Sequence, residues 1–112
     1  MVRAAAKNEL LPGTLDMLIL QTLTRGAMHG YGIAQYIQEI SDEVLQVEEG
    51  SLYPALQRLL VKGWVKAEWG TSDNNRRARY YTMTGSGKKQ LGAEAENFSR
   101  MVQAIARVMQ TA

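Results

Sequence analysis

The sequence predicts a mainly α fold with a β-hairpin wing, in winged helix-turn-helix order, followed by one long C-terminal helix. Three observations carry this. Between Thr14 and Lys62 apolar residues recur at helical spacing in three separate segments. The pattern then alternates on both sides of the turn-rich stretch GTSDNN. From Ser86 to about Gln110 it returns to helix, with apolar residues four and three positions apart in turn.

Residues 1–12 read as a loose arm, 13–84 as the winged-helix domain and 85–112 as a dimerisation helix. Thr14 caps the first helix after Pro12-Gly13, and Leu15, Leu18, Ile19 and Leu23 form its stripe, widened by Met17 and Leu20. A helix this apolar must be buried on more than one side, inside the domain or against a second subunit. Gly26 and Met28-His29-Gly30 separate it from the second helix, whose core face is Ile33, Ala34, Ile37 and Ile40. Ser41 to Val47 is a polar connector. The third helix is placed from about Ser51, because Pro54 is tolerated in a first turn, where its missing N–H would be unpaired anyway. Its Leu52, Ala55, Leu56, Leu59 and Leu60 point inward and leave Tyr53, Gln57, Arg58 and Lys62 to other faces.

Gly63 ends that helix, and Trp64–Trp69 and Arg76–Met83 pair as a hairpin with a basic tip. In the last helix Leu91, Ala95, Phe98, Val102, Ile105 and Met109 form a 3.5-residue seam. A three-helix core leaves little for so long a stripe to bury within one chain. The seam, with Leu18 of the over-apolar first helix, is therefore assigned to a homodimer.

Composition limits the rest. A chain of 112 residues, 46% hydrophobic, fits one small domain, and the absence of cysteine excludes disulfides and thiolate metal sites. No stretch is apolar for the roughly 18 residues of a membrane span, and the N-terminal residues lack a signal-peptide pattern, so a soluble cytoplasmic protein with no membrane partner is expected. Charge is uneven. After Arg25 no cation occurs before Arg58, while five acids fall in the interval; from Arg58 to Lys89 eight cations face only Glu68 and Asp73. Such a concentration suits a polyanion.

No enzyme is read from these segments. His29 is the only histidine, no nucleophile–base set, paired carboxylates or metal cluster can be placed, and no cofactor is expected. His29 reads as a turn or cap residue. Gly30-Tyr31-Gly32 lacks the third glycine of a dinucleotide fingerprint and follows a helix, not a strand.

Four fragments in order, GTLDMLIL from Gly13, HGYGI from His29, GSLYPALQRL from Gly50 and RARYYTMTGSG from Arg77, resemble the PadR family of bacterial transcriptional regulators over nearly the whole chain from Leu11. Gly32 stands where many members have an acidic residue. The resemblance implies a homodimeric winged-helix protein, usually a repressor, whose third helix enters the major groove of a double-stranded DNA operator. It assigns phosphate binding to Ser51 at the helix start, flat apolar contact to Tyr53 and Pro54, and base or phosphate contact to Gln57 and Arg58. Asn75, Arg76 and Arg77 at the hairpin tip would meet phosphate or the minor groove, with Asn74 beside them. Tyr31 would touch the DNA backbone or pack. Arg79 is expected to support the wing, and Trp64 and Trp69 to pack in it. A small-molecule effector of unknown identity would sit at the dimer centre. The competing expectation is a winged-helix protein-interaction module without DNA binding.

Overall fold

The computed structural model describes Leu10 and residues 12–110. The expected N-terminal arm lies outside the described residues, apart from Leu10 and Pro12. The elements are α1 (Pro12–Leu23), β1 (Met28–His29), α2 (Gly30–Ile40), α3 (Glu49–Val61), β2 (Val65–Thr71), β3 (Arg77–Met83) and α4 (Gly85–Gln110). The strands form one antiparallel sheet in the order β1-β3-β2. Order and type match the winged-helix expectation. The two-residue β1, which pairs Met28 with Tyr81 and His29 with Tyr80, is an addition.

α1 is the centre of the core. Its Leu15, Met17, Ile19, Leu20 and Leu23 are buried, and Leu18 packs against the same cluster. The all-round apolar character of this helix is therefore satisfied within the protomer. Thr22, the buried polar residue of α1, donates its hydroxyl to the Leu18 carbonyl at 2.8 Å and so leaves no unpaired group. Around α1 stand Ile33 and Ile37 of α2, Leu52, Ala55, Leu56 and Leu59 of α3, Val65 and Tyr81 of the sheet, and Leu91 of α4. Leu91 is only 8% exposed, which removes it from the dimer seam: the first turns of α4 belong to the protomer's own core.

Two helix starts differ from expectation. α1 begins at Pro12, ahead of the Thr14 cap, in keeping with proline's preference for the first helical position. α3 begins at Glu49, so Pro54 is its sixth residue and lies inside the helix. There it withholds the hydrogen bond that the Gly50 carbonyl would accept. Glu48 makes no side-chain cap, and its carbonyl accepts from the Ser51 and Leu52 N–H groups instead.

The far end of α3 is closed more firmly. Gly63 takes a positive φ of 75°, the Gly63 N–H donates to Leu60, and the Trp64 N–H donates to Leu59, the pattern of a Schellman cap. Thr84, between β3 and α4, docks on this cap. Its N–H donates to the Trp64 carbonyl at 3.0 Å, its hydroxyl donates to the Gly63 carbonyl at 2.7 Å, and the same hydroxyl accepts from the Gly87 N–H at 3.1 Å. The backbones approach so closely that a Cβ on Gly87 would collide with the Trp64 carbonyl oxygen. Gly87→Ala is therefore expected to destabilise by about 1–3 kcal/mol, while Gly92→Ala, which points into open space in the same helix, should be neutral or stabilise by up to about 1 kcal/mol. Urea unfolding of both variants checks the pair.

Candidate nucleic-acid interface

His29 ends β1 and starts α2 by capping it: its Nδ1 accepts the Gly32 N–H at 3.0 Å. That bond requires an unprotonated Nδ1. The ring also packs against Tyr80 and stacks beside Tyr31, with centroids 5.4 and 6.5 Å away. The cap expectation for His29 holds, and its effect is to fix the N-terminus of α2 beside the middle strand of the wing.

Tyr53 of α3 lies across this point. Its ring rests on Gly30 so closely that a Cβ there would lie 3.0–3.2 Å from the ring edge and hydroxyl. Tyr53 is nevertheless 46% exposed. Burial first, then the Glu49 charge, raises its phenol above the ordinary tyrosine range, so the hydroxyl remains a donor at neutral pH. Gln57, four residues on, shares its face of the helix.

These residues form one wall of an open groove of about 910 Å³, and the wing forms the other. On β2, Val65, Ala67, Trp69 and Thr71 share a face; across from them in register are Met83, Tyr81, Arg79 and Arg77. The inner end of this face joins the core through Val65 and Tyr81, and its outer end lines the groove with Trp69, Arg77 and Arg79. Arg76 and Asn74 reach the groove from the tip. There Ser72 accepts the Asn75 N–H on its carbonyl, and its hydroxyl donates to the Asn74 side chain at 2.7 Å, while Asn75 takes a positive φ of 62°. Asn75 is thus the turn residue, and Asn74 the one facing the groove.

The structure brings Tyr31, Tyr53, Gln57, Arg76 and Arg77 together around this groove, and Ser51 and Pro54 are exposed on α3 outside its lining. Arg58 is not on the same face. It lies about 140° around the helix from Tyr53 and makes a bidentate pair with Asp16 of α1, at 2.7 and 3.3 Å. The hydrogen bond to Asp16 holds its guanidinium above the ordinary arginine range. The residue expected to contact DNA thus ties α3 to α1 and stands outside the groove lining. Arg79 also differs from expectation: alternation away from Tyr80 turns it into the groove rather than out of it. Trp69 is 60% exposed and lies outside the core, and its packing is within the wing, against Arg77 and Arg79; Trp64 packs against the core. Gln35, one helical turn beyond Tyr31, lines the groove and carried no sequence signal.

Electrostatics favours one side. Three wing arginines and a single acid, Asp73, line the groove, which leaves it net positive, whereas Glu39, Glu43, Glu48 and Glu49 gather in a second, smaller hollow behind Tyr31 and Tyr53. A polyanion is attracted to the wing side of the two tyrosines and repelled beyond them. Among the described residues no group of histidines and carboxylates is placed to hold a metal ion, and no helix is long and apolar enough to cross a membrane.

Known proteins carry the same fold. A transcriptional regulator from Clostridium thermocellum superposes with a TM-score of 0.77 at 30% identity, over 85% of this chain and 92% of that one. A PadR family transcription regulator from hypervirulent Clostridium difficile does so at 0.73 and 27%, over 85% and 97%. In sequence, the negative transcriptional regulator PadR of Bacillus subtilis is 29% identical across 69% of this chain and 42% of its own length. The model of the transcriptional regulator PadR-like family matches residues 19–93, from the middle of α1 through the wing to the first turns of α4, and the chain belongs to that family of transcriptional regulators, which are not enzymes.

Proposed function

We propose that the chain is a sequence-specific DNA-binding repressor that binds an inverted-repeat operator as a homodimer in the cytoplasm. The observation that carries this is the groove itself, in which an aromatic and amide-bearing helix face stands opposite three arginines. α3 reads bases through Gln57; Tyr53 and Pro54 lie against sugar and thymine methyl, and Ser51 meets phosphate at the helix start. Arg76, Arg77 and Arg79 on the wing, with Asn74 and Asn75, hold the flanking backbone, and Tyr31 approaches it from α2. The sign of regulation follows the Bacillus subtilis relative, whose name is that of a negative regulator.

The dimer rests on α4. Every residue from Ala95 to Gln110 is exposed in the protomer, including Phe98, Met101, Val102, Ile105, Val108 and Met109. An apolar stripe of this length is covered economically by the same stripe of a second copy. Leu18 and Leu91 serve the protomer core and hold the arm that presents the stripe. The dimer centre is also where a small effector would act, by changing the separation of the two α3 helices.

Two outcomes are expected. Ile105, 54% exposed in the protomer, becomes buried in the dimer; Ile105→Asp would place an unpaired carboxylate there, and sedimentation should find monomer or unfolded chain where wild type is a dimer at micromolar concentration. A wild-type monomer would end the dimer reading. In titrations with operator and scrambled duplex at fixed salt, Gln57→Ala should lose about 1–3 kcal/mol for the operator alone, and Tyr53→Ala should weaken both. Wild-type affinity in both variants would leave a protein-interaction module as the better reading.

A further inference from the structure

We propose that Trp69 is a positioning residue of the groove: its indole holds Arg77 and Arg79 of the neighbouring strand ready for phosphate before DNA arrives. This rests on the reading of the groove as a DNA site. Trp69 has no place in the core, and two cations lie against its ring. The Arg77 guanidinium carbon lies 4.7 Å from the ring centroid; that of Arg79, its register partner, lies 5.9 Å from it and 5.9 Å from the Tyr81 ring. Among the described residues neither arginine forms an ion pair; Asp73 lines the same groove without pairing with either of them.

A guanidinium stacked on an aromatic face uses its plane and leaves its N–H edge free. That edge is what a phosphate oxygen accepts from. An unstacked arginine on a hairpin samples many rotamers, and binding must then order it at a cost in affinity. With the indole in place, much of that order already exists in the free protein. Strand alternation supplies the geometry, because residues 69, 77 and 79 share one face of the wing, and that face lines the groove. An ordinary exposed aliphatic residue at position 69 would give the same sheet without the stack.

The test compares Trp69→Leu, Trp69→Phe and Arg77→Ala with wild type, in titrations with operator and scrambled duplex at several salt concentrations. Trp69→Leu should weaken both duplexes by about tenfold, the scale of two exposed cation–π contacts. Its salt slope should equal that of wild type, because the same phosphates are still neutralised, whereas Arg77→Ala should flatten the slope by about one per protomer, or about two for a bound dimer. Trp69→Phe should recover most of the affinity. Independently of DNA, the Arg77 side-chain methylene protons of free wild type should be shifted upfield by the indole ring current, and Trp69→Leu should abolish the shift. Wild-type affinity in Trp69→Leu beside a weakened Arg77→Ala, a flattened slope in Trp69→Leu, or unshifted Arg77 protons in wild type would each overturn the proposal. If Arg77→Ala binds every duplex like wild type, the DNA reading of the groove fails, and the inference falls with it even where the ring-current shift is present.

Discussion

The contact between Thr84, Gly87 and the Trp64 carbonyl is the constraint on which the rest of the molecule depends. Within a few residues α3 ends, β2 begins, β3 ends and α4 begins, and one threonine hydroxyl serves two of these chain segments. The Schellman cap at Gly63 fixes the direction in which the chain leaves α3. Docking of Thr84 on that cap fixes the base of the wing against the same helix. The groove between α3 and the wing therefore has a defined width, and the α4 arm a defined departure angle. No side chain larger than hydrogen fits at position 87, so this geometry is built into the backbone.

From that joint outward, charge and packing divide the surface. Arg58, which opens the basic half of the sequence, is taken up by Asp16 and anchors α3 to the central helix. At a half-exposed site such a pair contributes about 1 kcal/mol at most, so its chief consequence is orientation. Tyr53 leans on Gly30, and His29 caps α2 beneath it, which ties the exposed face of α3 to α2 and to β1. The arginines of the groove stand on the wing and the glutamates stand behind the tyrosines. A net-positive groove and an acidic hollow are thus separated by two aromatic rings, an arrangement that orients a polyanion rather than merely attracting it.

Much of this was legible in the sequence. The helix core faces from Leu15 to Leu59, the hairpin, the Gly63 stop and the length of α4 follow from periodicity and turn chemistry, because burial imposes those patterns directly. The exception is Ile40, expected on the core face of α2 but 69% exposed at the last residue of that helix, where the core no longer reaches it. What failed depended on distant partners. The two residues of β1 have no periodicity to detect and become a strand only because Tyr80 and Tyr81 lie opposite. Arg58 and Asp16 are 42 positions apart, and nothing local announces their pairing. Leu91 continues the seam in spacing but is buried within its own chain, since a stripe shows which face is apolar and not which surface covers it. Alternation turned Arg79 away from Tyr80, but its pairing with Trp69 comes from the register of the hairpin, and which face of the hairpin looks toward α3 is decided by how β3 joins the core at Tyr81.

The central claim is that a preformed groove between α3 and the wing is the surface that meets DNA. Backbone and side-chain NMR of the protein, titrated with a duplex carrying its operator, tests this most directly. The account predicts shifts concentrated at Tyr31, Gln35, Tyr53, Gln57, Trp69, Arg77 and Arg79, with Phe98, Val102 and Ile105 unchanged. Shifts confined to α4, or to the acidic hollow behind Tyr31 and Tyr53, would contradict it.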